Sequence, residues 1–498
     1  MSPKVEALQR RMAEVNAFEA ATALMDWDHQ TYMPPAAGAA RAAHVSILSR
    51  LLHEMLVSDE TQRLAEEAAE EAATDDEKAL VRIVLRRLEK STKIPASLVE
   101  EKSRVSSEAH EVWVQARANN DFAKFRPFLE TIVELNRQEA EHLGYTDHIY
   151  DALTDLYEEG ATKKGWDAMF DGIRQPMVDL VARIKEAPAI DNRFLFGDWD
   201  IDAQRRFTEM IVEAIGFDMK RGRQDTAPHP FCTNFSVNDV RLTTRYQEFL
   251  GSAIFGSLHE AGHGVYEQGS PQEWDRTPLS GGVSLGVHES QSRTWENIVG
   301  RSKAFWSRYL PELKRSFPGL PDLSLDDFYR AINRVEPSFI RVEADEVTYN
   351  LHIMVRFEIE CGMLDRSLEV KDLPEVWNEK YRQYLGITPP TDSLGCLQDV
   401  HWSGGMIGYF PTYSMGNILS YQIWEQLQAD LGDVDRLMAD GQFAPILGWL
   451  QEKVYRQGSK YPPNELIHRV CGGPLDPKPY LSGITRKYEG VYGLASAV

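Results

Sequence analysis

An apolar run from Phe249 to Leu258 leads without a break into His259-Glu260-Ala261-Gly262-His263. A helix this hydrophobic does not belong on a surface, and burying two imidazoles and a carboxylate without partners is costly. On an α-helix, positions i and i+4 share a face, so both rings can reach one cation. Glu260 lies about 100° further round yet stays beside that cation, where a general base belongs. Gly264-Val265-Tyr266-Glu267-Gln268-Gly269 follows, with Gly269 a suitable C-terminal stop. The segment predicts a metal-binding helix in which a zinc ion compensates the polar groups.

A catalytic zinc takes three protein ligands and keeps one position open, so two histidines are insufficient. His288-Glu289-Ser290-Gln291 lies downstream, with Glu289 at 289 − 263 = 26 positions beyond His263. Trp295, Ile298 and Val299 continue it as a second helix packed behind the first, with Gly281-Gly282 in the intervening turn. Glu289 is the expected third ligand. His288 is the competitor, but adjacent helical residues diverge by about 100°, so both cannot face one ion. His288 is expected behind a ligand, at the substrate, or packed. A zinc so held carries an activated water that attacks an amide carbonyl. Glu260 takes its proton and later passes it to the leaving amine. The developing oxyanion needs further donors such as Tyr, His or Arg.

At 498 residues the chain can form two or three ordinary domains, or one large helical body with a cleft. A formal charge of −22 argues against a nucleic-acid partner, which needs concentrated Lys and Arg, and against an anionic membrane surface. No apolar run approaches the roughly 20 residues that span a bilayer. Met1-Ser2-Pro3-Lys4-Val5-Glu6 lacks the features of a signal peptide. Cys232, Cys361, Cys396 and Cys471 are widely separated, which points to reduced, buried thiols in a cytoplasm.

Helical patterns fill the first two hundred residues. Thr74-Asp75-Asp76-Glu77 is a capping box ahead of Leu80, Ile83, Val84 and Leu88. Pro95 opens the next helix, ahead of Leu98, Val99 and Val105. Residues 229–237 and 240–246 are β-favouring runs joined at Asn238-Asp239, a small hairpin or ribbon beside the metal helix. It serves either as an edge for an extended peptide or as a structural ribbon. Helices return from about Leu325, interrupted by a Gly-, Pro- and aromatic-rich loop over residues 387–417. The fold class is therefore mainly α: one domain over 1–498, with a helical part to about 225 and the site within 229–415.

His229-Pro230-Phe231, Asp239-Val240-Arg241-Leu242-Thr243, the histidine pentad, His288-Glu289-Ser290-Gln291, Ile340-Arg341-Val342-Glu343-Ala344-Asp345 and Gly395-Cys396-Leu397-Gln398-Asp399-Val400-His401-Trp402 occur in that order. Together they resemble the signature blocks of the thermostable carboxypeptidase (carboxypeptidase Taq-like) family of zinc metallocarboxypeptidases. Trp27-Asp28-His29-Gln30-Thr31-Tyr32-Met33-Pro34-Pro35 is similar to that family's opening segment. The resemblance implies a helical, saddle-like homodimer related in fold to neurolysin, with a deep groove for peptide C-termini. It implies removal of single C-terminal residues with broad tolerance, terminal proline disfavoured, and zinc replaceable by cobalt. It also implies His259, His263 and Glu289 as ligands and Glu260 as base.

Recognition of a free C-terminal carboxylate suits a guanidinium fork. Arg341 leads, against an ordinary ion pair with Asp345 at i+4 on a helix, and Arg241 is the weaker alternative. The loop carrying Gln398-Asp399-Val400-His401-Trp402, Gly404-Gly405 and Gly408-Tyr409-Phe410-Pro411 reads as too polar and glycine-rich for core. His401 and Tyr409 are candidate donors to oxyanion or substrate. Asp399 is expected to orient His401 or a zinc-bound histidine. His229 is expected near the cleft, its role open. Other readings are an oligopeptidase or dipeptidyl carboxypeptidase with the same chemistry, and a peptide-binding protein with a structural zinc. An intact Glu260 counts against the last.

Overall fold

Apolar residues at helical spacing, punctuated by capping residues, make helix the dominant element of this chain. The computed structural model describes residues 2–495. The capping box closes: the Thr74 hydroxyl accepts from Glu77 N at 3.3 Å and Glu77 Oε2 accepts from Thr74 N at 3.0 Å, opening helix Asp75–Lys93. Leu80, Val84 and Leu88 are buried along it. Pro95 caps helix Ala96–Asn119, burying Leu98 and Val105 while Val99 faces solvent.

The apolar interior has two parts. Val5, Leu8, Met12, Leu80, Val84 and Leu88 belong to a smaller cluster that Leu279 joins. Most of the buried apolar residues from Leu98 to Tyr492 pack into one large core, which includes Leu258, Ala261 and Val265 of the histidine helix. The N-terminal helical part expected up to residue 225 therefore divides near residue 90. Polar bridges tie the first helices to the remainder: Arg82 to Glu159 at 3.0 Å, Arg86 to Asp155 at 3.0 Å and Lys460 to Asp76 at 2.6 Å. At the end of helix Pro3–Thr31, the Trp27 ring stacks under the Arg241 guanidinium at 4.4 Å.

The β element is a three-stranded ribbon in which the two runs read from sequence are joined by a third strand. Strands β1 (Gly222–Thr226), β2 (Cys232–Ser236) and β3 (Asp239–Thr244) lie in the order β1-β3-β2. β3 pairs antiparallel with β2 and parallel with β1, Arg223 opposite Arg241. Gly222-Arg223-Gln224-Asp225 is polar and poor in β-branched residues, so its strand state comes from pairing and not from propensity. His229-Pro230-Phe231 precedes β2 and is not part of it. Among the described residues no helix is long and apolar enough to cross a membrane. All four cysteines are free; Cys361 and Cys396 are buried, while Cys232 and Cys471 are half-buried, contrary to the expectation that all four are core.

Candidate metal centre

The pentad lies on helix Leu250–Gln268, followed by Gly269 as its cap. Glu289 lies on helix Leu285–Arg293, whose first turn is capped by Ser284. Two glycines let these elements touch. A Cβ at Gly262 would fall 2.6 Å from the Gln291 carbonyl oxygen and from Ser292 Cα. A Cβ at Gly416, on helix Pro411–Leu431, would fall 2.5 Å from Glu289 Cβ and Cγ. The Glu289 helix is thus clamped between two backbones at distances only glycine permits. Buried Glu158 anchors its start by accepting from Gly286 N at 2.9 Å.

Among the described residues, His259, His263 and Glu289 form a group whose ligand atoms all lie within 4.8 Å of one another. Glu289 Oε2 is 3.6 Å from His259 Nε2 and 3.5 Å from His263 Nε2. These separations are too long for good hydrogen bonds. They are close to the edge of a tetrahedron around zinc, about 3.3 Å for bonds near 2.05 Å. Two nitrogens and one carboxylate oxygen also match the borderline-soft preference of zinc, so the donor set fits. The two histidine side chains keep 20% and 16% exposure, so the group is reachable from solvent.

Charged groups behind the triad hold it in place. His259 Nδ1 lies 2.9 Å from Glu296 Oε2. Arg293 donates to Glu289 Oε1 at 2.7 Å and to Glu296 Oε2 at 3.2 Å. Residues 289, 293 and 296 share one side because i, i+4 and i+7 align. The chain passes into a π-helical turn at Thr294–Val299, a feature frequent at functional sites. Burial opposes charge on His259, but Glu289 and Glu296 outweigh it and raise its pKa to about 9. Burial, with His288 and His259 nearby, takes His263 down to about 4 against the pull of Glu289. Burial raises Glu260 to about 7, with Glu289 and Glu296 adding to it and His259 opposing. A buried carboxyl tuned near neutrality suits proton transfer at neutral pH.

The sequence pattern of the carboxypeptidase Taq (M32) metallopeptidase family matches residues 7–488. The chain belongs to this family. It is 40% identical over 491 residues to thermostable carboxypeptidase 1 of Thermus thermophilus, covering 95% of each chain. It is 38% identical over 486 residues to carboxypeptidase 1 of Bacillus subtilis, covering 97% of each. Its fold matches the M32 carboxypeptidase of Deinococcus radiodurans with a TM-score of 0.97 at 38% identity, over 99% of this chain and 100% of that one. It matches a Pyrococcus furiosus carboxypeptidase at 0.96 and 37% identity, over 98% and 99%. The protein is a metallocarboxypeptidase, a peptide hydrolase with a mainly helical fold.

In this metallocarboxypeptidase Arg341 does not sit on a helix with Asp345 as partner. It begins a short 3-10 turn, Arg341–Glu343, and meets Asp399 Oδ1 through Nε at 3.0 Å and Nη2 at 2.9 Å. Asp345 instead accepts from Val347 N, Thr348 N and Glu336 N at the start of the next helix. Asp399 orients neither metal-site histidine: Arg341 and Arg356 enclose it, and His401 Nδ1 is 3.9 Å away. Arg356 reaches Asp399 Oδ2 at 2.6 Å, and the two guanidinium groups hold the Asp399 carboxyl far below the usual range although burial opposes them. Arg341 Nη1 also donates to the Tyr349 hydroxyl at 2.9 Å, and Arg293 lies 4.6 Å from that ring's centroid. Tyr349 thereby links the carboxylate cluster to the arginine beside Glu289.

Much of the loop over residues 387–417 is core, contrary to expectation: Cys396, Leu397, His401, Trp402 and Phe410 are buried, while Thr388, Thr391, Val400 and Gly404 are exposed, and from Pro411 the chain is already helical. Its polar groups are tolerated because they are paired. Trp402 Nε1 and Gly408 N donate to Glu360 at 2.8 and 3.1 Å, and Gln398 Oε1 accepts from Arg356 and Arg341 N. His401 Nδ1 is buried without a hydrogen-bond partner, and its Nε2 is 3.5 Å from the Tyr413 hydroxyl. Tyr409 is half-buried against Tyr157 and Tyr413. His229 is exposed and feels the charges of both Arg341 and His259. Arg241 is engaged by Asp239 at 2.9 Å and by Trp27, away from this cluster's hydrogen bonds. His288 is not one of the three converging residues; its Nδ1 is 2.6 Å from His263 Nδ1 and its Nε2 is 2.6 Å from Glu267 Oε1. Sequence reasoning missed Glu296, Glu267, Arg293 and Arg356. The available signals were the i+4 and i+7 spacings of Arg293 and Glu296 from Glu289 and the i+4 spacing of Glu267 from His263.

Proposed function

We propose that this metallocarboxypeptidase uses zinc, held by His259, His263 and Glu289, to remove single C-terminal residues from peptides. The observation that carries the proposal is the convergence of those three ligand atoms beside a buried carboxyl, Glu260, raised to about 7. Zinc supplies Lewis acidity when bound, acidifying water and polarising an amide carbonyl. Glu260 takes the proton of the attacking water and passes it to the leaving amine. His401 and Tyr409 donate toward the developing oxyanion. The unpartnered Nδ1 of His401 and the electrostatic reach of Tyr409 to Glu289 favour these roles. Arg341 receives the terminal carboxylate, with Asp399 and Arg356 fixing its fork and His229 close by.

β2 is an edge strand, and its Cys232 thiol is raised by burial together with the charges of Glu260 and Glu267. That proximity favours pairing of an extended peptide along β2. Broad side-chain tolerance, disfavoured terminal proline, cobalt as a substitute metal, a homodimer and a cytoplasmic setting complete the proposal. The four free thiols accord with a reducing compartment.

The test is incubation of the protein with a longer peptide in free-acid and C-terminally amidated forms, following products by mass. Stepwise loss of one residue from the free acid only, abolished by chelator and restored by zinc or cobalt, is expected. Internal cleavage of the amidated peptide identifies an oligopeptidase instead. Sedimentation at twice the chain mass checks the dimer.

A further inference from the structure

The two metal-site imidazoles are backed in different ways. His259 Nδ1 meets a carboxylate directly, Glu296 at 2.9 Å. His263 Nδ1 meets a second imidazole, His288 Nδ1 at 2.6 Å, and His288 Nε2 in turn meets Glu267 Oε1 at 2.6 Å. With neutral rings this line has one arrangement of protons. A carboxylate only accepts, so His288 carries its hydrogen on Nε2. Its Nδ1 is then a lone pair, and His263 must donate from Nδ1. The free lone pair of His263 is left on Nε2, the atom 3.5 Å from Glu289 Oε2.

The far end of this line is anchored. Glu267 Oε2 accepts from Asn234 Nδ2 of β2 at 2.8 Å, and Oε1 accepts from Gly282 N at 3.2 Å. Glu267 stands one turn beyond His263 on the same helix, so the line leaves that helix, passes through His288 and returns. The Gly281-Gly282 turn leaves room for it. A Cβ at Gly282 would fall 2.5 Å from His288 Cδ2 and 2.9 Å from the Tyr266 ring. Gly281 has φ +84°, and a Cβ there would lie 3.0 Å from Glu267 Oε2.

We propose that His288 and Glu267 are positioning residues: together they fix His263 in the Nδ1–H tautomer and aim its Nε2 at the metal. This rests on the zinc reading above. Partners behind a ligating histidine set its tautomer and basicity, and their loss weakens metal binding by about 10–100-fold. Mere packing of His288 against His263 has no such consequence.

The experiment compares the full-length protein with His288→Phe, which keeps a ring, and His288→Gln, which restores a carbonyl acceptor and an N–H donor. Zinc dissociation constants come from competition with a chromophoric chelator, and the visible spectrum of the cobalt-loaded protein reports ligand geometry. Melting of the chelated protein separates packing from metal binding. His288→Phe is expected to weaken zinc by about 10–100-fold and alter the cobalt bands, with His288→Gln recovering most of both. Zinc affinity and cobalt spectrum unchanged in His288→Phe overturn the proposal. If His288→Phe does not fold, Glu267→Gln tests the line from its other end, and unchanged affinity there overturns it equally. A His263→Ala control ties the measured zinc to this site. An unsubstituted protein that binds no zinc defeats the zinc reading itself, and the positioning role with it.

Discussion

Glu260 is buried among charges, and its protonation decides whether it can act as a base. It must be ionised to accept a proton, so kcat/KM is expected to fall as the pH drops through its pKa. Burial holds that pKa at about 7, and a bound cation lowers it, so the acid limb lies at or below about 7. An acid limb well above neutrality is incompatible with Glu260 as the base. Glu260→Gln preserves shape and is expected to reduce kcat by about 10²–10⁴-fold while one zinc stays bound per chain. Turnover at the original rate removes the mechanism. For Arg341, substitution by Met leaves Asp399 paired with Arg356. Loss of one charge-assisted contact worth about 1.5–3 kcal/mol is expected to lower kcat/KM for free-acid peptides by about 10–100-fold. An unaltered kcat/KM places the carboxylate elsewhere.

Elements position these groups through close backbone approach. The Glu289 helix lies against Gly262 on one side and Gly416 on the other, each at a distance that excludes a side chain. Gly416→Ala must push against Glu289 Cβ, Cγ and carbonyl carbon, so the helix bearing Glu289 moves away from the imidazoles. Overpacking of this kind costs about 1–3 kcal/mol. The expected result is a lower melting temperature in chelator and a further loss of zinc affinity, because ligand spacing changes as well. Calorimetry and chelator competition on the same preparation measure both. Unchanged zinc affinity would falsify the claim that this contact sets Glu289's distance from His259 and His263.

Across the molecule, buried carboxyls pull stability in opposite directions. Burial raises Glu158 and Glu360 from 4.5 to about 7, against hydrogen bonds to Gly286 and to Trp402, Gly408 and Tyr150 that lower them. Between those values the folded chain binds more protons than the unfolded chain, so stability falls as pH rises through the window. Glu296 behaves oppositely. Burial acts against ionisation, but Arg293 and His259 take it down to about 2, so its contribution is present above the ordinary carboxylate range and lost on strong acidification. The chelated protein is expected to melt at higher temperature at about pH 5 than at about pH 8, and to lose stability below about pH 4. Glu158→Gln should flatten the upper slope, with a gain on the order of 3 kcal/mol above neutrality. A melting temperature that climbs with pH across the window in both proteins rejects this account.

Local rules settled much of this protein in advance. Helical periodicity, the Thr74 capping box and the i, i+4 histidines depend only on neighbours along the chain. The 26-residue step to Glu289 needed one helix, one turn and a second helix, each legible from its residues. The partners of buried polar groups were not legible. Arg341 and Asp399 are 58 positions apart, and Asp345, the acid expected beside Arg341, instead accepts from backbone N–H groups while packing brings Asp399 to both Arg341 and Arg356. The same holds for β1, whose polar residues became a strand only by pairing with β3, and for Gln398, Asp399, Trp402 and Gly408, whose polar groups Glu360 and Arg356 satisfy. Spacing along the chain is enough to bring His259, His263 and Glu289 together on adjoining helices. Which distant charge compensates a buried one is decided by the tertiary packing, since desolvation penalises every arrangement except those that close the pair.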